Sequence, residues 1–211
     1  MSAHVSESIV LRTYPLREAD LIVSFFTRDQ GKLRGVAGRA RRPKGNFGAG
    51  LERLSHVSIS YYQRENRELV NLNSCELLHS QFPLAASFET SVAMDYLAEV
   101  ADQMLPPGEV NERQFRLMLS VLEYLRQGGS PWAAVSYFTF WMVRLAGILP
   151  PLPEEDETRA LAAEMAASAI GGLPPRDWTR KTGALLRRFL VRSIEDHVER
   201  KLLTVPILES L

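Results

Sequence analysis

The spacing of apolar residues changes once along this chain, and that change limits the fold more than any other feature. Up to about residue 78 apolar side chains recur at every second position, and after residue 82 they recur every three or four. A two-residue period puts one face of a strand inward, whereas a 3.6-residue period does the same for a helix. Strands first and helices afterwards point to an α+β chain and not to alternating βα units. In the first part, SESIVLRTY, LIVSFFT, KLRGVAG, HVSISYY and ELVNLNSCELL read as five short strands separated by PLREAD, RDQG, GVAGRARRPKGNFGAG and QRENR. Arg28 to Gly31 reads as a tight hairpin, with glycine available for positive φ. Five strands with a long connection between the third and fourth have the layout of an OB-fold barrel, and a plain SH3-like barrel is the other arrangement this pattern allows.

From Ser87 the pattern is helical. Val92, Tyr96, Leu97, Val100 and Met104 share one face of a first helix, which ends at Pro106-Pro107-Gly108. Asn111 with Gln114 three residues on is a capping-box start, and Phe115, Met118, Leu119, Leu122 and Leu125 form the stripe that follows. Pro131 opens a third helix, apolar nearly all round and so expected at the centre of a bundle. Residues 157–169 are Ala-rich and helix-prone. A last helix is predicted from about Thr179 to Leu203, burying Leu185, Leu186, Phe189, Leu190, Ile194 and Val198. The domains expected are therefore a barrel over residues 1–80 and a helical domain over 81–211, with the boundary near 78–83.

Formal net charge is zero, but it is unevenly spread: residues 1–80 hold 12 Lys and Arg against 8 Asp and Glu, and the rest hold 13 against 17. A basic front and an acidic back result. One cysteine, Cys75, allows no intrachain disulfide, which fits a reducing compartment. The N-terminal MSAHVSESIVLR lacks the basic and apolar regions of a secretory signal. The apolar stretch from Trp132 to Leu149 is interrupted by Ser136, Arg144 and Gly147, so a buried helix is expected there and a cytoplasmic protein overall.

Several chemistries fail on spacing. In the position of a phosphate-binding P-loop, Gly31-Lys32 is followed by Leu33, and Phe26 stands where the first glycine belongs. Gly48 and Gly50 are followed by Arg53, which breaks a dinucleotide fingerprint. His4, His56, His79 and His197 are scattered, a lone cysteine makes no zinc knuckle, and Gly-x-Ser-x-Gly is absent. Glu154 to Glu157 lie consecutively on a Pro-flanked linker and do not converge on a cation. No cofactor and no metal are expected. What stands out is a basic run. Lys32 and Arg34 alternate on strand three and so share a face, and Arg39, Arg41, Arg42 and Lys44 continue into the long loop. Glycines there let phosphates approach the main chain. One of Phe25/Phe26 and one of Tyr61/Tyr62 is expected to face outward, where it can stack a base. Spacing alone leaves a nucleic-acid grip and a solvated loop both open.

The order of residues resembles the RecO family of bacterial recombinational-repair proteins. The resemblance is carried by Ile9-Val10-Leu11-Arg12, Glu18, Asp20 to Val23, Phe26-Thr27, Gly31 to Ala37, the basic tract Arg39 to Lys44, Gly48 to Leu51, and Glu68 to Leu72 with Glu76. It continues through Tyr96 to Glu99, Phe138 to Gly147 and Arg200 to Leu203. It implies an N-terminal OB-fold followed by a helical domain, and no enzyme activity. It also implies binding to single- and double-stranded DNA and annealing of complementary strands. The partners it implies are RecR, sometimes RecF, and the acidic tail of the single-stranded-DNA-binding protein, with help in loading RecA. The matching DNA-binding positions are Lys32, Arg34, Arg39, Arg41, Arg42 and Lys44, with Arg12 and Arg17 as further candidates. Many relatives carry a four-cysteine zinc module after the Leu-x-x-x-Gly segment. Here residues 150–175 hold no cysteine, so zinc is expected to be absent and a helical segment to take its place. For the acidic tail, an apolar groove beside Arg144 or Arg187 is one reading, and structural pairing of those arginines with nearby carboxylates is the other. The rival function is a protein adaptor whose OB-like barrel has no physiological hold on DNA.

Overall fold

The computed structural model of the chain describes residues 2–42, 46–63 and 68–211. Five strands form where alternation predicts them: β1 (Ser2–Leu16), β2 (Asp20–Thr27), β3 (Gly31–Ala37), β4 (His56–Gln63) and β5 (Leu69–His79). They close into a barrel in the order β1-β2-β3-β5-β4. Neighbours are antiparallel except β3 with β5, which run parallel. The long β3–β4 connection lets β4 cross over so that β5 can lie beside β3, and this is the OB-fold. Val10, Val23, Phe25, Val57, Ile59, Tyr61, Val70 and Leu72 fill the barrel, together with Phe47 and Leu51 from the β3–β4 connection. Cys75 packs against the same core. A Cβ on Gly50 would lie 2.6 Å from its Sγ, and burial pushes the thiol up to about 12, so it is an inert packing residue.

Two irregularities decide what faces outward. The β1–β2 register shifts between Val10 and Arg12, so Leu11 is an extra residue and the side-chain alternation reverses there. Val10 points into the barrel, and Arg12, opposite Ser24, points out. Second, the barrel unit comprises Met1–Pro83 together with Leu105–Phe115, a segment that the helical period groups with the other half. Gly108 N–H donates to Lys32 O at 2.9 Å. A Cβ on Gly31, whose φ is +70°, would lie 2.3 Å from the Glu109 carbonyl oxygen, so only glycine lets this segment approach. Phe26 does face outward, but Phe115 covers it with ring centroids 5.5 Å apart, and both are fully buried. Phe26 is therefore closed to bases, contrary to the expectation of an exposed phenylalanine on β2. Arg28 lies over the same Phe115 ring at 5.0 Å and pairs with Glu7 and with Glu112.

The second unit holds Leu84–Met104 and Arg116–Leu211. Its helices are α1 (Phe88–Met104), α2 (Glu112–Arg126, whose first residues fall in the barrel unit), α3 (Pro131–Leu145), α4 (Asp156–Ala167), α5 (Ala184–His197) and α6 (Val205–Glu209). The α3 helix is buried from Trp132 to Phe140 and packs on α1, α4 and α5. Ser130 caps it, with its side chain accepting from the Ala133 N–H, and Pro131 sits in the first turn. Tyr96 and Thr139 lock α1 to α3. Thr139 Oγ1 donates to the Val135 carbonyl at 2.6 Å, and the Tyr96 hydroxyl meets Thr139 Oγ1 at 2.8 Å. Burial pushes the Tyr96 phenol well above its usual range. Tyr96→Phe is expected to cost about 1 kcal/mol of stability, seen as a lower urea midpoint at unchanged slope.

Residues 150–175 supply α4 and a short 3-10 turn, Ile170–Gly172. Leu161, Ala162, Met165 and Ile170 are buried. From α3, Trp141 Nε1–H donates to Met165 O at 3.1 Å, and the Tyr137 hydroxyl donates to Ser168 O at 3.1 Å. Apolar packing and two aromatic donors hold this segment, and its side chains do not fit zinc. Among the described residues no group of three His, Cys, Asp or Glu could hold a metal ion. The last predicted helix is shorter than its apolar pattern suggested. It starts after Gly183 (φ +64°) and stops before Glu199 (φ +52°). Thr179 to Thr182 form a side-chain-bonded turn, which takes them out of the helix. Leu185 is exposed, and Phe189 and Val198 are half-buried. Glu99 reaches beyond the end of α5 and accepts the Leu203 and Thr204 N–H groups at 2.8 Å each, turning the chain into α6.

Candidate nucleic-acid interface

Strand register places the basic residues. The outer face of β1-β2-β3 is read in rows, because cross-strand partners point to the same side. One row runs Ile9–Phe26–Lys32, the next Arg12–Ser24–Arg34, and the next Tyr14–Ile22–Val36. Beyond the last row, the strands end in two turns. Residues 17–19 join β1 to β2, and residues 38–42 begin the β3–β4 connection.

These two turns are tied together. Arg39 N–H donates to Asp20 Oδ1 at 2.8 Å. Arg41 N–H donates to Ala19 O at 3.0 Å, and its guanidinium reaches Glu18 O at 3.4 Å. Arg42 N–H closes the turn on Arg39 O at 3.0 Å. Arg17 and Arg39 both occupy the left-handed region, with φ of 61° and 58°, which is uncommon for residues other than glycine. Each is held there by its turn, and both side chains are exposed. The carboxylate of Asp20 is used on a backbone N–H. Among the described residues, Arg17, Arg39, Arg41 and Arg42 make no ion pair with a carboxylate. Four guanidiniums therefore stand at one end of the barrel against the two carboxylates of Glu18 and Asp20, a net positive local field.

Arg34 and Arg12 lie on the face leading to this end. Both are exposed, and both stand over the ring of Tyr14, at 5.6 and 5.1 Å from its centroid. Lys32 is on the same outer face as Arg34, but one row further from the arginine-bearing turns. It sits where the 105–109 segment pairs with β3 and is half-buried. Arg34 thus joins Arg12, Arg17, Arg39, Arg41 and Arg42, while Lys32 lies at the other end of the strand. Lys44 falls outside the described residues. Of the tyrosine pair on β4, Tyr61 fills the barrel and Tyr62 is exposed.

Tyr14 was not singled out by sequence reasoning, and its only sequence signal is an aromatic residue two positions after Arg12 near the end of a strand. In the helical unit, Arg187 is a structural residue: it is fully buried, and its guanidinium is bonded to Glu209 and to the carbonyls of Arg180 and Thr182. Arg144 is exposed and lies over Trp141 at 5.1 Å.

This geometry suits a polyanion. Exposed side-chain cations on turns next to an open sheet face can neutralise backbone phosphates and release counterions. The β2–β3 face with its neighbouring loops is also where OB-folds take oligonucleotides. Comparison with known proteins agrees in kind. A family model described as "Recombination protein O N terminal" matches residues 1–81, and "Recombination protein O C terminal" matches residues 85–160. The chain is 40% identical to "DNA repair protein RecO" of Koribacter versatilis over 98% of both chains. It is 34% identical to the protein of that name from Geobacter sulfurreducens over 77% of this chain and 65% of the relative. With the one from Bifidobacterium longum subsp. infantis it shares 29% identity over the full length of both.

Proposed function

This chain belongs to the RecO family, and on that premise we propose that it is a DNA-repair mediator that holds DNA on the arginine-bearing end of its barrel. The observation that carries this reading is the joining of the two turns, which gathers Arg17, Arg39, Arg41 and Arg42 at one end of the barrel with no ion pair to a carboxylate among the described residues. Arg12 and Arg34 extend the same positive surface along the strands. The grip is by charge, so it holds both single and double strands and leaves base edges free. Two strands screened by one basic surface repel each other less, and annealing of complements follows without turnover of any substrate. In the cytoplasm the protein then works with RecR, and where present RecF, to help load RecA onto DNA coated by single-stranded-DNA-binding protein.

The helical unit supports the protein contacts of this role. A shallow groove in it is lined by Trp178, Arg180 and Lys181 together with Glu89, Trp132 and Leu211; its two cations suit an acidic tail. In the barrel unit Val5, Leu77, Leu78 and Phe82 are exposed apolar side chains that a partner protein can cover.

The test is to titrate a labelled single strand at several salt concentrations and then add its complement. Six arginines on phosphates predict a slope of about −4 in log affinity against log salt for a single strand, and annealing faster than the uncatalysed rate. A slope near zero, or no acceleration, rejects the reading and favours a protein adaptor.

A further inference from the structure

The Tyr14–Ile22–Val36 row raises a question that charge alone does not answer. Tyr14, Ile22 and Val36 are half-buried on the outer face, outside the barrel core. Across β1, β2 and β3 they make an apolar strip two strand spacings wide, about 10 Å. Cations border it on both sides, Arg12 and Arg34 one row along the strands and Arg17, Arg39, Arg41 and Arg42 on the turns at the other side. The guanidiniums of the first border stand over the ring of Tyr14 and form no ion pair among the described residues.

We infer that Tyr14 is a base-stacking platform, and that the strip it heads lets this face distinguish single-stranded from duplex DNA. This rests on the DNA-binding reading above and adds to it a residue and a strand preference. A base has a free π-face only when it is unstacked. Arg12 and Arg34 lie over the Tyr14 ring on exposed side chains, and as they swing to phosphates the ring is left to stack the base of a single strand. Phosphates on either side of the stacked base fall toward the two cationic borders. In a duplex the base faces are covered by their neighbours, and only the phosphate grip of the turns remains. Ile22 and Val36 give the adjoining base an apolar surface.

The experiment measures affinity of the full chain for an oligothymidylate and for a duplex of equal length at matched salt. Tyr14→Ala is expected to weaken the single strand roughly 5- to 100-fold while the duplex stays within about twofold and the salt slope is unchanged. Tyr14→Phe keeps the ring and is expected to match the parent. Tyr14→Trp is expected to hold the single strand at least as well, with emission quenched by oligothymidylate and not by duplex. Equal losses on both DNAs with Tyr14→Ala, or an unquenched Trp in a protein that binds single strands, overturn the inference. They would leave Tyr14 as a support that orients two arginines. Arg39→Glu with Arg42→Glu separates the two levels. If that pair weakens both DNAs and Tyr14→Ala weakens neither, only the stacking inference falls. If the pair weakens neither, the DNA-binding reading falls with it.

Discussion

Changing Arg34, Arg39 and Arg42 together to Glu is expected to weaken single-strand binding about a hundredfold or more at low salt and to flatten its salt dependence by about two units of slope. The three changes replace cations with anions on one contiguous surface, so their effects reinforce each other through a shared ligand. Annealing should fall to the uncatalysed rate, while partner-protein binding through the helical unit is retained. Lys32→Glu is the matched control. Its charge change is the same per residue, but it sits a row further from the turns, beside the segment that pairs with β3, and a much smaller loss is expected. Equal losses from Lys32→Glu would mean that the whole outer face binds uniformly. No loss from the triple variant would move the DNA elsewhere. Thermal unfolding checks that the barrel persists, since Arg39→Glu places a second carboxylate near Asp20.

The second large effect is on stability. Arg187 is 1% exposed and lies 4.7 Å from the centroid of Trp132. Its Nη2 donates to Arg180 O at 2.6 Å, its Nη1 to Thr182 O at 3.4 Å and its Nε to Glu209 Oε1 at 3.2 Å. One planar fork therefore joins the turn before α5 to the last helix. Arg187→Ala removes every one of these bonds, leaves two carbonyls and a partly exposed carboxylate without this donor, and opens a cavity beside Trp132. A loss on the order of 3 kcal/mol is expected, a drop of roughly 10–15 °C in the midpoint of the helical unit. All three tryptophans, Trp132, Trp141 and Trp178, lie in that unit, so tryptophan emission follows it selectively. Arg187→Lys keeps the charge but not the fork, and an intermediate loss is expected. A loss under about 1 kcal/mol for Arg187→Ala would show that water satisfies these acceptors.

The strands and most helix faces are legible because they depend on local period, whereas the pattern leaves the OB order and an SH3-like barrel both open, and the parallel β3–β5 pairing decides between them. Val23, Phe25, Ile59 and Tyr61 are inward in the structure as alternation requires. The outward set is less legible. The extra residue at Leu11 reverses alternation partway along β1, and no turn residue marks it, so Arg12 and Tyr14 reach the outer face by a register decided on the partner strand. Phe26 obeys alternation yet is covered by Phe115, a contact between residues far apart in sequence. Pro106-Pro107-Gly108 signals only that a helix has ended, not that the chain then returns to the barrel. The basic tract was visible as composition. Which of its members face the same space depended on Asp20 and Ala19 holding the second turn, a non-local tie that spacing does not encode.

The return of residues 105–115 to the barrel has a consequence for the order in which the protein is made. Synthesis delivers β5 well before it delivers Phe115, so a nascent barrel has all five strands while Phe26 and the Gly31 edge of β3 are still bare. Completion of the N-terminal unit therefore waits for α1 to be synthesised in full. During that interval the emerging chain presents an uncovered aromatic and an unpaired strand edge, the kind of surface that chaperones engage.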